Sequence, residues 1–391
     1  MDQADHKKSL NLKILGIFTT YRAAITCWAF AVLKLYPIRI VDWTAPTFEL
    51  YLRASARLGQ AYSLLQDWLL WPWYRWDAEW YLRIAADGYQ NNGSAAFAPL
   101  YPALIKILGH LFGGNLLLSA LVISNVALAL VCILLFYETR HIFDINSATR
   151  SVIYFLAFPT AFYMAGAYSE SLFLLFVLLS WRFARKNQWP WAFITAILSI
   201  LTRFQGVGLF IPLIYIWWKT PKPRDRWGLS LLILPIIPLI WALYLHTQLN
   251  IEFPWQALGQ NWQQRSVWPW TGIFGNLRAI FNFNGYDVSL LSVVLDLIMT
   301  AISIGIIILG SKHLPLEYTL LNVVFMLPAL MKVSSDGLLV SISRYVLSLW
   351  PNFMILGRLG KKPLFHWGYV GTSFLLQLLS SATFFLWFWV A

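Results

Sequence analysis

Leu116-Leu117-Leu118-Ser119-Ala120-Leu121-Val122-Ile123-Ser124-Asn125-Val126-Ala127-Leu128-Ala129-Leu130-Val131-Cys132-Ile133-Leu134-Leu135-Phe136-Tyr137 runs without a charge and is followed at once by Glu138 and Arg140. About 20 apolar residues span a bilayer core, and Ser289–Leu309 is a second such run, broken only by Asp296. Backbone groups in lipid must be satisfied within the segment, so such runs are helices. The alternation of an outer-membrane barrel is absent. The whole chain agrees: 59% of its 391 residues are hydrophobic and 12% are charged, whereas soluble domains carry roughly 25% charged residues. The expectation is an all-α, polytopic integral membrane protein, with residues 1–391 forming a single transmembrane domain.

The net charge of +12 comes from 29 Lys and Arg against 17 Asp and Glu. In a membrane chain this excess sets topology rather than binding nucleic acid. Lys7, Lys8 and Lys13 place the N-terminus in the cytoplasm, and Leu12–Leu33 reads as a retained first span, since no cleavage signature follows it. Basic clusters recur at Arg140/Arg150, Arg182/Arg185/Lys186, Lys219/Lys222/Arg224/Arg226, Lys312 and Arg358/Lys361/Lys362. Holding all of them inside gives about eleven spans, with segments near 151–167, 169–184, 189–204, 205–218, 227–247, 314–331, 344–357 and 367–389 among them. The pairs at 151–184 and 189–218 are short enough to be half-spanning hairpins.

Two long loops then fall outside. The first, residues 36–115, carries an interfacial helix over Thr47–Leu70, where Arg53, Arg57 and Gln60 interrupt apolar residues, and a second over Phe97–Phe112. The second, residues 248–288, is dense in Trp. Aromatic residues at these levels are ordinarily belt residues, and the Trp-Pro-Trp elements at Trp71–Trp73 and Trp268–Trp270 fit that role, although indole faces also suit sugars. Cys27 and Cys132 lie in apolar runs and form neither a disulfide framework nor a metal site.

Charged residues in or beside spans are costly and functional by default. Four groups stand out: Arg75, Asp77 and Glu79; Tyr168 and Glu170 in Tyr168-Ser169-Glu170-Ser171; Arg203 in Thr202-Arg203-Phe204-Gln205-Gly206; and Arg344 and Tyr345 in Ser343-Arg344-Tyr345. Singly, each has a plain explanation: solvated loop charges, a helix-dipole carboxylate, or snorkelling arginines. Together they fall at one membrane face. Arg recognises phosphate through a bidentate fork, and a carboxylate within reach of a hydroxyl serves as general base. The chemistry implied is glycosyl transfer from a lipid-phosphate sugar. A secondary transporter with broken helices at Gly166 and Gly206 is the rival reading, but no internal repeat supports it. A lipid-binding protein without transferase activity is the other.

Arg75-Trp76-Asp77-Ala78-Glu79-Trp80-Tyr81 with Ala96-Phe97-Ala98-Pro99-Leu100-Tyr101-Pro102, then Phe158-Pro159-Thr160-Ala161-Phe162, Ala167-Tyr168-Ser169-Glu170-Ser171-Leu172-Phe173 and Thr202-Arg203 with Gly206, resemble the second-mannosyltransferase (PIG-V) family of glycosylphosphatidylinositol synthesis and its bacterial relatives, in the GT-C class. The match in order and spacing runs over about Asp77–Gly208. Two departures stand against it: Ala98 where relatives more often carry an aromatic residue, and Thr202-Arg203-Phe204-Gln205 as a loose version of its motif.

The resemblance implies a GT-C fold with an essential acidic residue in the first outer loop, here Asp77. It also implies an inverting transfer from a polyprenyl-phosphate sugar, often mannose, to a glycolipid, protein or wall-polymer acceptor. Asp77 is then the general base. Arg75, Arg203, Arg344 and Tyr345 are expected to contact the donor phosphate. Trp76, Glu79, Tyr81, Tyr101, Tyr168 and Glu170 shape the site, with Glu170 and Tyr168 shaping the donor side or holding Asp77 in place by hydrogen bonding. The location is the plasma membrane in a bacterium or the endoplasmic reticulum in a eukaryote, with the site on the extracytoplasmic side. No obligatory metal or other cofactor is expected, since His110, His141, His246, His313 and His366 are scattered. A divalent ion held by Asp77 with Glu170 is the alternative.

Overall fold

The computed structural model describes residues 3–36, 69–221, 223–282, 289–388 and 390. Within them the apolar runs are the long helices. Lys7–Leu35, Leu116–Ile142, Arg226–Leu249 and Leu290–Gly310 are long and apolar enough to cross a membrane. Leu116–Ile142 begins where Asn115 accepts the Leu118 amide at 2.9 Å, which satisfies one of the open donors of the first turn. Arg226–Leu249 changes pitch at Pro235: a 3-10 stretch to Ile236 gives way to an α-helix from Ile237, as expected where proline removes a backbone donor. Lys7–Leu35 meets the late helix Pro363–Phe385 through the Trp28 indole, which donates to the Leu378 carbonyl at 3.0 Å. Outward faces carry exposed Ile107, Leu111, Ile308 and Leu364, surfaces suited to lipid.

The shorter elements position the charged groups. Phe97–Phe112 is a helix over Leu100–Leu111. The interfacial helix expected over Thr47–Leu70 lies outside the described residues apart from its last two. The 151–184 region is a broken rod: Ile145–Leu156, the single turn Phe162–Ala165, then Glu170–Arg185. Its irregular backbone from Ala157 to Ser169 is buried in protein, the condition under which non-helical chain is tolerated at membrane depth. Trp350–Leu359 packs along Ile145–Leu156, and Gly357 allows it: a Cβ there would lie 2.4 Å from the Ser147 carbonyl oxygen.

The span expected at 344–357 is divided. Arg344 and Tyr345 end a four-residue helix, Ile342–Tyr345, and the longer helix starts only at Trp350, beside Pro351. The 248–288 loop contains helices Pro254–Gln260 and Thr271–Phe281. Between them Arg265–Ser266 pairs antiparallel with Lys332–Val333 and ties the loop to the segment that follows Leu316–Leu330.

Candidate active site

Asp77 is the first residue of the helix Asp77–Asp87, where the helix dipole favours a carboxylate. Its predecessor Trp76 has φ +51°, a conformation that costs a non-glycine residue energy and that packing must enforce. The Trp76 ring is held against Trp387 at 6.1 Å. Glu170 opens Glu170–Arg185 immediately after the broken stretch. Arg203 ends Trp189–Thr202; the chain then folds back so tightly that a Cβ on Gly206 would lie 2.6 Å from the Ser199 hydroxyl. Arg344 is set by its neighbour Ser343, whose amide donates to Asp296 at 2.8 Å and whose carbonyl accepts from Thr160 at 2.7 Å.

These four side chains, far apart in sequence, make one cluster. Arg344 donates to Asp77 Oδ2 at 2.8 Å and to Glu170 Oε1 at 2.6 Å through Nη2 and 3.0 Å through Nε. Arg203 Nη1 lies 2.6 Å from the same Glu170 oxygen. The Arg344 guanidinium also sits over the rings of Tyr163 (4.8 Å) and Tyr168 (5.1 Å). Two carboxylates and two guanidiniums thus neutralise one another. The space between the carboxylates is filled by Arg344, so this geometry does not suit a metal bridging Asp77 and Glu170.

Asp77, Arg203 and Arg344 of the cluster line a cavity of about 630 Å³, together with Tyr81, Tyr345 and Lys332 among others. Aromatic residues make another wall: Phe97 and Trp262 line it, and Trp80 stacks on Phe97 at 5.8 Å and packs against Trp262 at 5.4 Å. Trp76 and Asp296 also face it.

Several expected site residues stand elsewhere. Arg75 is fully buried, and its guanidinium donates to the carbonyls of Phe385, Trp71 and Tyr74. It braces the loop before Asp77 and does not line the cavity, because backbone carbonyls take the donors a phosphate would need. The Tyr168 hydroxyl donates to the Arg75 carbonyl at 2.8 Å rather than to Asp77. Tyr101 bonds Ser124 at 2.7 Å and the Ala120 carbonyl at 3.1 Å, behind the cavity. Glu79 is buried and off the wall. Tyr81 does line it and bonds Ser169 at 2.7 Å, beside Glu170.

Asp296, Lys332 and Trp262 were missed from the sequence. Asp296 had a signal, being the lone carboxylate inside Ser289–Gly310. Lys332 had none, since a loop lysine is unremarked until folded, and Trp262 had only its place in the Trp-dense 248–288 loop.

Fold and cavity together define a helical multi-pass membrane protein with a charged, aromatic-walled site. Comparison with known proteins then narrows it. Residues 21–211 match the family described as Mannosyltransferase (PIG-V). The chain is 33% identical over 167 residues to GPI mannosyltransferase 2 of Schizosaccharomyces pombe, covering 41% of this chain and 35% of that protein. It is 31% identical over 108 residues to GPI mannosyltransferase 2 of Drosophila melanogaster, covering 25% and 24%. The family resemblance drawn from the motifs is thereby shown for this part of the chain. The chain spans about a third or less of the length of these relatives. No solved structure matches it. Asp77, Glu170 and Arg203 fall inside the family match; Asp296, Lys332, Arg344 and Tyr345 lie beyond it.

Proposed function

We propose that this protein is an inverting membrane glycosyltransferase that moves a sugar, mannose foremost, from a polyprenyl-phosphate donor to a lipid-linked acceptor at the extracytoplasmic face. The reading rests on one observation: Asp77 stands on the cavity wall in the grip of Arg344, which Glu170 holds from the other side. The acceptor hydroxyl attacks the anomeric carbon, the bond from that carbon to the phosphate oxygen breaks, Asp77 takes the hydroxyl proton, and the lipid phosphate leaves with the electron pair. Arg344 orients the base, and Glu170 with Arg203 holds Arg344. A preorganised cluster of this kind avoids reorganisation during the reaction. The ring faces of Phe97 and Trp262 offer a platform for a sugar. The relatives' printed name, GPI mannosyltransferase 2, supports mannose and a glycolipid acceptor.

The test uses purified protein in lipid, polyprenyl-phosphate-[14C]mannose and a membrane lipid extract as acceptor pool. Wild type moves label into glycolipid, and an equally folded Asp77→Asn variant loses at least about 100-fold, the scale of general-base loss. Near-full activity in that variant would remove Asp77 as base.

A further inference from the structure

Two charged groups on the cavity wall, Asp296 and Lys332, have no ion-pair partner among the described residues, and only Lys332 is a cation. Arg344 is shared by Asp77 and Glu170, and Arg203 is paired with Glu170. Asp296 is engaged by the Ser343 amide. Lys332 lines the same cavity and forms no ion pair among the described residues; its ammonium meets only the Tyr345 phenol, 3.4 Å from the hydroxyl and 5.8 Å from the ring centroid. Its backbone is pinned in the short strand pair with Arg265–Ser266, so this ammonium is presented rather than loose. A half-buried cation facing a cavity without a counter-ion is poised for an anion, which recovers the interactions lost on leaving water. Lysine serves phosphate as a point charge. Arg203 and Arg344, by contrast, are already paired with carboxylates.

We propose that Lys332, with the Tyr345 hydroxyl beside it, binds the phosphate of the lipid-phosphate donor, leaving Arg203 and Arg344 to position the acidic pair. This assignment rests on the transferase reading. It assigns the leaving phosphate to Lys332 and the acceptor hydroxyl to Asp77.

The experiment reads binding, not turnover. Full-length protein in phosphatidylcholine nanodiscs is titrated with fluorescent polyprenyl phosphate, with fluorescent polyprenol as the uncharged control and inorganic phosphate as competitor. Wild type prefers the lipid phosphate over polyprenol. Lys332→Gln weakens lipid-phosphate binding at least about tenfold, the scale of one charge-assisted contact, and leaves polyprenol binding unchanged. Lys332→Arg, which keeps the charge, stays within about threefold and shows that the loss is not misfolding. Wild-type affinity in Lys332→Gln, with wild type still preferring the phosphate, overturns the Lys332 assignment alone. A wild type that cannot tell lipid phosphate from polyprenol overturns the donor reading as well. Displacement by inorganic phosphate at concentrations equal to the lipid's assigns the ammonium to a free anion and likewise overturns the proposal.

Discussion

The helix Glu170–Arg185 carries a buried ion cluster at each end, and the two differ in kind. At its start Glu170 is gripped by Arg203 and Arg344 at 2.6 Å each, and the second arginine reaches on to Asp77. At its finish Arg182 and Arg185 stand 3.5 and 3.4 Å from Glu138, with Tyr318 also bonded to Arg185. The first cluster borders the large cavity; none of the second cluster's residues lines it. The arginines of the second retain a third and a quarter of their side-chain exposure, whereas Arg344 retains 5%. Buried charge alone therefore does not mark a site. Charge beside room for a substrate, with one cation free of any ion pair among the described residues, does.

Breaking the first cluster has the largest expected effect. Arg344→Met leaves Asp77 and Glu170 without their shared cation, and unfolding measurements should show a loss of about 3–5 kcal/mol, as when one partner of a buried pair is removed. Transfer should fall by at least about 100-fold. Arg344→Lys recovers little, because one ammonium cannot reproduce a guanidinium fork.

A smaller effect follows from Tyr345, which ends the short helix and lies outside the four long spans. Lys332, aided by Arg203 and Arg344 and opposed by burial, draws the phenol down to about 8. Above that pH the phenolate cancels the charge that Lys332 offers an anion. The donor KM should then rise with pH, by at most about tenfold per pH unit, the limit for one titrating group. Tyr345→Phe should flatten that rise. A profile identical in wild type and Tyr345→Phe would detach Tyr345 from the donor.

The smallest effect belongs to the other end of the helix. Glu138→Gln should cost about 1 kcal/mol, since Arg182 and Arg185 reach water when released, and transfer rates should stay within about twofold. Abolished transfer at unchanged stability would erase the distinction between the two clusters.

The parts legible in the sequence are those with local causes. An uncharged run such as Leu116–Tyr137 must be a helix in lipid whatever surrounds it, and Glu170 after the break at Gly166 was readable as a helix start. Asp77 stood out because an acidic residue among aromatics beside spans is uncommon. Arg75 looked identical to Arg344 from that distance: both are arginines beside aromatic residues. Only folding separated them, by bringing the Phe385 carbonyl, 310 residues away, to one and Asp77, 267 residues away, to the other. Helical spans are decided by the transfer of adjacent side chains into lipid, a property each segment carries with it. Which cation neutralises which carboxylate, and that Lys332 is left facing the cavity, is decided by packing between distant segments, because ion pairing falls off over a few ångströms and has no footprint in sequence spacing.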